Sequence, residues 1–281
     1  MVMEMLRTAR PGFEPGEVHP ARVYNFWLGG KDHFAADREA GQEVMRLRPE
    51  IVAGARANRE FLGRVVRYLV GQGIRQFLDV GTGLPAPDNV HEVAQRVDPW
   101  CRVVYVDRDP LVLMHSRALL TSSREGSCDY LEADLRDADL ILKEASRTLD
   151  LTQPVALLLL AVLQLIPDEE EPGQVVAALA TSLAQGSYVA ISHMTADFAP
   201  EAVTAAASAY NERAAVPVTA RSHAQVSELF SGYQLVAPGI VPITSWRRDQ
   251  IDGADQVADL YGGVARTTRF LWRPWRTAVG A

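Results

Sequence analysis

Short apolar runs alternate with amphipathic segments through the middle of the chain, and this alternation predicts an α/β fold. An apolar run of five or six residues between turn-forming residues is typical of a strand buried on both faces, whereas apolar positions every three or four residues are typical of a helix. Strands that alternate with helices at this spacing predict a parallel sheet with right-handed crossovers. The predicted strands cover residues 76–80, 102–106, 129–132, 155–160 and 187–192, and the helices between them cover 89–97, 111–120, 137–142 and 174–183.

Helical patterns and shorter apolar stretches flank this core. Residues 1–20 are rich in proline, glycine and charge, and we expect this N-terminal segment to be flexible. Residues 21–73 predict an N-terminal helical cap, and residues 74–281 predict a larger domain that closes with a pair of strands. We therefore expect a mostly parallel, seven-stranded sheet with an antiparallel last strand. The flanking helices are predicted at 35–48, 50–71, 201–212 and 224–230, and the late strands at 235–238 and 264–270.

The ends of the predicted strands carry residues that suit a nucleotide-like ligand. The first strand ends in the turn Gly81-Thr82-Gly83, where glycines tolerate positive φ and let a ligand approach the backbone closely. The second strand ends in Asp107, a position from which a carboxylate can accept hydrogen bonds from two ribose hydroxyls. Ligands of such sheets lie outside the carboxyl ends of the strands. We expect Gly81, Asp107, Asp134, Ala161 and His193 to lie together on that edge.

Two ligand classes use this layout, NAD(P) and S-adenosylmethionine (SAM). A dinucleotide fingerprint needs GxGxxG so that the pyrophosphate can sit tightly against the helix, but here Ala86 takes the place of the third glycine. SAM has no phosphate and needs only a close pass of the backbone. The sequence Ala133-Asp134-Leu135 after the third strand is also typical of an adenine-contacting loop. The pattern favours SAM and leaves an NAD(P)-dependent oxidoreductase as the alternative.

Composition limits the classes of partner. The chain has 281 residues, of which 48% are hydrophobic, and a formal net charge of −7, so no global attraction to nucleic acid or to an anionic membrane is expected. The two cysteines, Cys101 and Cys128, lack metal-ligand spacing and predict buried thiols in a reducing compartment, with neither a disulfide nor a metal. No apolar stretch reaches membrane-spanning length and residues 1–16 lack the core of a signal peptide, so we expect a cytoplasmic protein.

Two segments before the sheet have both a structural and a functional interpretation. The segment 22–34 is aromatic around a glycine pair, which predicts either a short amphipathic helix that covers the core or a lid over the cofactor. A lid would bring polar groups from Arg22, Tyr24, Asn25 and Lys31 to the site. Asn58 and Arg59 lie in the helix before the first strand, and they face either the glycine turn or solvent.

Many separated motifs between residues 20 and 273 form a larger pattern. These motifs are ARVYNFWLGGKDHFAADR, ANREFL, FLDVGTGLPAPDNVHEVAQ, VVYVDRDP, LEADLRD, ALLLLAVLQLIPD, SHMTAD, VAPGIVPITSWRRD and YGGVAR. In these motifs the chain closely resembles a bacterial family of SAM-dependent methyltransferases catalogued as a domain of unknown function, DUF574. This resemblance implies the Rossmann-like fold of a class I methyltransferase, with SAM as cofactor and an acceptor that the family does not define.

The resemblance also implies roles for individual residues. Gly81 and Gly83 would bracket the methionine part of SAM, Asp107 would hold the ribose, and Asp134 with Leu135 would contact the adenine. The cofactor-binding residues expected in full are Gly81, Thr82, Gly83, Asp107, Arg108, Asp134, Leu135, Ala161, Asn58, Tyr24 and Lys31.

No residue is marked as the catalytic group by its spacing. Methyl transfer needs a base only when the acceptor is protonated at the working pH. The candidates on the predicted edge are His193, Asp197, Tyr24 and His33, and His193 ends a buried strand, which favours a structural histidine. The sequence departs from its relatives at Gln164, where they often carry histidine in a VLH arrangement.

Three functional hypotheses follow. The first is a SAM-dependent methyltransferase with a small-molecule acceptor, the second a SAM-binding regulatory protein without turnover, and the third an NAD(P)-dependent oxidoreductase. The sequence does not define the acceptor or the oligomeric state.

Overall fold

The structure, a computed structural model, describes residues 16–119, 121–248 and 258–267. Within these residues eight strands form one sheet. The strands are β1 Gln76–Val80, β2 Arg102–Asp107, β3 Ser127–Glu132, β4 Ala156–Leu160, β5 Tyr188–Met194, β6 Gln234–Leu235, β7 Val241–Pro242 and β8 Leu260–Arg266.

The order of the strands is β3-β2-β1-β4-β5-β8-β6, with β7 also paired to β8. Strands β1 to β5 are parallel, and β8 runs antiparallel to β5. The predicted Rossmann-like sheet with an antiparallel last strand is therefore confirmed, and the two-residue strand β7 is an addition to it. Strand order reverses between β1 and β4, and a crevice opens at the carboxyl ends of the strands at such a switch point.

Nine α-helices are described around this sheet, together with short 3₁₀ turns. All eight predicted helices are present, and their ends differ from the prediction by at most three residues, as is usual for helix termini that fray. The α-helices are α1 Pro20–Trp27, α2 Ala35–Leu47, α3 Ile51–Gly71, α4 Val90–Val97, α5 Pro110–Leu119, α6 Ala138–Ala145, α7 Pro172–Thr181, α8 Pro200–Asn211 and α9 His223–Glu228.

The alternation of side chains along each strand divides the core between the two faces of the sheet. Leu78 of β1 belongs to the cluster on one face, and its neighbour Phe77 belongs to the cluster on the other. A third cluster joins α1, α2 and α8, and we call these three helices the cover. Val23, Val44 and Ala206 are buried in it, one from each helix. The cover thus packs around its own small core at one end of the sheet.

Several expectations need correction or lie outside the described residues. Residues 16–20 are not loose, because Val18 is buried and pairs with Ala214 in a short bridge. The last strand begins at Leu260, and the part of its predicted pattern at 268–270 lies outside the described residues, as do residues 1–15. Cys128 is half-buried rather than buried, although both cysteines are free. No helix in the described ranges is both long and apolar enough to cross a membrane.

Candidate active site

A cavity lies at the carboxyl ends of β1, β2 and β4 and extends beneath the cover. Its wall at the edge of the sheet comes from the loops after these strands, and its other walls come from α1, α2, α3 and α8. The site residues predicted from sequence that line it are Gly81, Thr82, Gly83, Asp107, Arg108, Leu135, Ala161, Asn58, Tyr24 and Gln164. The structure thus brings most of the predicted set to one place.

The two glycines of the turn are needed for different reasons. Gly81 has φ +76°, and a Cβ atom there would lie 2.2 Å from Cγ2 of Val162, so the loop after β4 packs directly on it. Gly83 has φ +68°, and a Cβ atom there would have no heavy atom within 4 Å. Gly81 is therefore fixed by packing, whereas Gly83 leaves the backbone open to a ligand.

Alanine at these two positions should separate packing from backbone strain. Both variants suffer the left-handed backbone penalty of about 1–2 kcal/mol, and Gly81→Ala also clashes with Val162. We expect Gly81→Ala to lose about 2 kcal/mol more unfolding free energy than Gly83→Ala, measured by urea denaturation. Equal losses would contradict the tight packing of the two loops.

Asp107 is buried where β2 ends, and it organises the turn opposite. Its Oδ2 accepts a hydrogen bond from Gly83 N at 2.9 Å, and its Oδ1 accepts one from Asp109 N at 2.9 Å. A carboxylate has about four lone-pair positions, so two remain for a ligand. Burial raises the pKa of Asp107 to about 6, although the hydrogen bonds from Asp109 and Gly83 oppose this shift.

Asp79 lies below the turn and is also buried. Its Oδ2 accepts a hydrogen bond from the hydroxyl of Thr82 at 3.0 Å, and burial raises its pKa to about 6. The positive charge of Arg59 opposes this rise in the pKa of Asp79. Nη2 of Arg59 donates to the carbonyl oxygens of Pro87 and Asp88 in the loop that follows the turn. Arg59 thus faces this loop rather than solvent.

Asp134 does not line the cavity, although its neighbours Ala133 and Leu135 do. Its carboxylate pairs with Arg136, Nη1 to Oδ1 at 2.9 Å, and lies 3.5 Å from Nη1 of Arg108. Partial burial acts to raise the pKa of Asp134, but the hydrogen bonds and charge of Arg136 and the charge of Arg108 outweigh it and lower the pKa. Both arginines line the cavity, so Asp134 acts on the site through them.

A chain of hydrogen bonds ties the first helix to the sheet. The hydroxyl of Ser192 donates to Asn58 Oδ1 at 2.7 Å, Asn58 Nδ2 donates to the hydroxyl of Tyr24 at 3.2 Å, and that hydroxyl donates to Ala55 O at 2.9 Å. Burial raises the pKa of Tyr24, so it remains a neutral phenol. Tyr24 and Asn58 therefore hold the wall of the cavity in position.

Lys31 and three of the candidate bases lie away from the cavity wall. Lys31 is exposed to solvent, and the next residue, Asp32, donates its backbone N–H to Asn25 Oδ1. His33 lies 3.3 Å from the same amide oxygen, and Asp197 accepts hydrogen bonds from His223 N and from the hydroxyl of Tyr261. His193 is fully buried.

The imidazole of His193 is held in one tautomer by its two neighbours. Arg221 Nη1 can only donate, so Nε2 of His193 accepts at 2.8 Å and Nδ1 donates to Met194 O at 2.8 Å. Burial lowers the pKa of His193 to about 4. The expected structural role of this histidine agrees with its surroundings, and a role as general base does not.

The structure adds residues that the sequence pattern did not indicate. Arg48 donates from Nε and Nη2 to both oxygens of Asp259 at 2.8 and 3.1 Å, across 211 positions of sequence, and its Nη1 contacts Glu50 at 2.9 Å. One face of α8 lines the cavity through Val203, Ala206 and Ala207. No local motif signals a contact between such distant segments.

Comparison with known proteins identifies the family to which the chain is similar. A family model described as S-adenosyl methyltransferase matches residues 7–268. The structure of a DUF574 family protein from Streptomyces avermitilis is 45% identical with a TM-score of 0.86, over 89% of this chain and 98% of that chain. The structure of a methyltransferase candidate from Thermobifida fusca is 36% identical with a TM-score of 0.83, over 92% of this chain and 98% of that chain.

More distant matches agree on the fold. The plantazolicin methyltransferase BpumL has a TM-score of 0.52 at 11% identity, over 89% of this chain and 96% of that chain, which supports the fold alone. A search of curated proteins returned no match. The family match decides between the two cofactors in favour of SAM, and the chain belongs to the S-adenosyl methyltransferase family.

Proposed function

We propose that this enzyme transfers the methyl group of SAM to a small-molecule acceptor held in the cavity beneath the cover. The observation that carries this proposal is the pair formed by Asp107 and Gly83 at the switch point of the sheet. The carboxylate is bound to the turn through one lone pair of each oxygen, which leaves two lone pairs for the two hydroxyls of a ribose. The backbone at Gly83 is open beside it.

The remaining parts of SAM fit the chemistry of the surrounding groups. Apolar side chains such as Leu135 suit the adenine, and we assign Asp134 the task of orienting Arg108 and Arg136 at that end. The turn Gly81-Thr82-Gly83 suits the methionine part, and the positive charge of Arg59 suits its carboxylate. Ala161, at the end of β4, lies on the same wall. We assign no role to Lys31.

SAM supplies a methyl group on a positively charged sulfur, which leaves by in-line displacement. The contribution of the protein is alignment, an effect that can supply about 7–11 kcal/mol. Tyr24 and Asn58 hold α1 and α3 against β5, and Trp27 of α1 covers the cavity. These residues orient the reactants and exclude water.

None of the bases predicted from the sequence is placed to accept a proton in the cavity. His193 is neutral and already bonded through both ring nitrogens, and the hydroxyl of Tyr24 already donates to Ala55. We infer that the acceptor attacks either as a neutral nucleophile or after it has ionised in solution. The hypothesis of a regulatory protein without turnover predicts instead that no acceptor is methylated.

Isothermal titration calorimetry tests the proposed cofactor. We expect one equivalent of SAM, or of the product S-adenosylhomocysteine (SAH), to bind per chain at micromolar concentrations, and NAD⁺ to give no heat under the same conditions. The assignment of the site would be overturned if NAD⁺ gave heat and SAM gave none up to 1 mM. A dissociation constant of 1 mM corresponds to a binding free energy of about −4 kcal/mol.

The affinity for SAM should fall as the pH drops below 6. Ribose hydroxyls donate to the ionised form of Asp107, so bound SAM lowers the pKa of this group from its value of about 6 in the free protein. Protonation then competes with binding, and the dissociation constant should rise about tenfold per pH unit below pH 6. Asp107→Asn should flatten this dependence. A slope that persists in the variant would assign it to Asp79, which also has a raised pKa of about 6.

A further inference from the structure

The cavity extends beyond the edge of the sheet, and we call this part the acceptor compartment; most of the side chains that line it are apolar. Side chains from α1, α2, α3 and α8 border it, several of them from the cluster that holds the cover together. These apolar residues are Trp27, Val44, Ile51, Val203, Ala206 and Ala207. Such a lining favours a ligand that buries apolar surface and penalises one that brings a charge without a partner.

The charged groups of this compartment do not offer a site for an anion. Arg48 directs Nε and Nη2 at Asp259 and Nη1 at Glu50, so one cation faces two carboxylates and the group carries an excess negative charge. His19 is uncharged at neutral pH, because burial lowers its pKa to about 4. The other arginines that line the cavity lie at the end assigned to SAM: Arg108 and Arg136 are in loops after the strands, and Arg59 of α3 donates to the loop that follows the glycine turn. A carboxylate, sulfate or phosphate on the acceptor would lack a partner.

Two polar groups remain to orient an acceptor. Gln164 lies three residues after Ala161 and lines the cavity. Its Oε1 accepts a hydrogen bond from Met194 N at 3.1 Å, which leaves its amide nitrogen, Nε2, available as a donor. Among the described residues this nitrogen has no acceptor. Tyr210 also lines the cavity and is 4% exposed, and its hydroxyl has no hydrogen-bond partner in the described part of the chain. A ligand oxygen would satisfy such groups.

An N–H donor selects the type of nucleophile. An amine has one lone pair, and a hydrogen bond from Gln164 would occupy the pair that must attack. An oxygen has further lone pairs, so it can accept from Gln164 and still attack carbon, and the donor favours its ionised form. A phenol, with a pKa near 10, is mostly neutral at pH 7.5 but has a small ionised fraction that can react, whereas the ionised fraction of an aliphatic alcohol is negligible.

On the basis of the proposed function, we propose that the acceptor is an uncharged, mostly apolar phenol that binds between α8 and the start of α3 with its oxygen at Gln164. In the reaction an O–C bond forms to the methyl carbon and the C–S bond breaks. The sulfonium takes the electron pair of that bond and becomes a neutral thioether, and the phenolic proton is released to solvent before transfer.

Three probes with the same ring system test the charge preference on protein saturated with SAH, whose binding is recorded first. The probes are 1-naphthol, 1-naphthoate and 1-naphthylmethylammonium, each titrated by calorimetry at pH 7.5. We expect 1-naphthol to bind at least tenfold more tightly than 1-naphthoate, which meets the excess negative charge. It should also bind more tightly than the ammonium ion, which has no lone pair to accept a hydrogen bond from Gln164. Glu50→Gln should reduce the difference in affinity between 1-naphthol and 1-naphthoate several-fold, because the substitution removes the excess negative charge.

A matched pair of variants on α8 tests the location. Ala207 lines the compartment and Ala205 is exposed on the same helix. Ala207→Phe should reduce binding of 1-naphthol at least tenfold while SAH affinity stays within twofold, and Ala205→Phe should change neither. With SAM in place of SAH, 1-methoxynaphthalene should appear by mass spectrometry.

Each alternative outcome has a definite meaning. Tighter binding of either ion, equal effects of the two phenylalanine variants, or no binding of any probe to a protein that binds SAH would overturn the assignment of the acceptor and leave the cofactor site intact. Failure of SAH itself to bind would instead overturn the proposed function.

Discussion

Asp107→Ala should weaken the binding of SAM by about 1.5–3 kcal/mol, or roughly 10- to 150-fold, the range for loss of a hydrogen bond to a charged group. The variant removes both oxygens proposed to hold the ribose. Among the described residues, the other carboxylate that lines that part of the cavity is Asp79, which already accepts from Thr82. Titration calorimetry with SAM measures the change. Asp129→Ala, an exposed aspartate on β3, is the control and should leave the affinity unchanged.

The same variant also disturbs the turn, and this effect must be separated from the loss of a ligand contact. Alanine leaves Gly83 N and Asp109 N without their acceptor, so some unfolding free energy is lost as well. Asp107→Asn keeps the size of the side chain and one acceptor oxygen, and it should lose affinity for SAM with less loss of stability. If Asp107→Asn bound SAM as well as the native protein does, Asp107 would be a structural residue of the turn.

The sheet could be predicted from the sequence because its signals are local. The parallel strands β1, β2, β4 and β5 are largely apolar runs of five to seven residues, and the position where a run ends fixes which residue reaches the edge of the sheet. Asp107, Gly81 and Gly83 were located in this way. The helices followed from their periodicity, and their ends were less certain because the last turn of a helix depends on its surroundings.

The walls of the acceptor compartment could not be predicted, because they depend on contacts between distant segments. Arg48 and Asp259 are separated by 211 positions, and nothing in either neighbourhood indicates the other. His193 ends a strand at the predicted edge, yet it is fully buried because Arg221, a residue from a later segment, docks against its ring. Sequence order placed this histidine at the edge correctly and could not reveal what covers it.

The docking of Arg221 leads to the largest expected effect on stability. Its guanidinium is 2% exposed and donates to the carbonyl oxygens of Leu163 and Ile166 at 3.0 and 2.7 Å, and to Nε2 of His193. It also pairs with Asp168 at 2.6 Å. These bonds fix the loop after β4, which carries Gln164 into the cavity.

Arg221→Met keeps much of the apolar volume and removes every one of these donors. Ile166 O and His193 Nε2 then lose their donor, whereas Leu163 O keeps the hydrogen bond from Ile166 N. Asp168 is exposed enough to be solvated, so we expect a loss of about 3–5 kcal/mol in unfolding free energy. Urea denaturation measures this loss. Arg213→Met is the matched control, since Arg213 is exposed and its pair with Glu39 is long at 3.7 Å, and it should change stability by no more than about 0.5 kcal/mol. A loss below about 1 kcal/mol in Arg221→Met would mean that water or the loop itself replaces the guanidinium, and the loop that carries Gln164 would then owe its position to the packing of Val162 on Gly81.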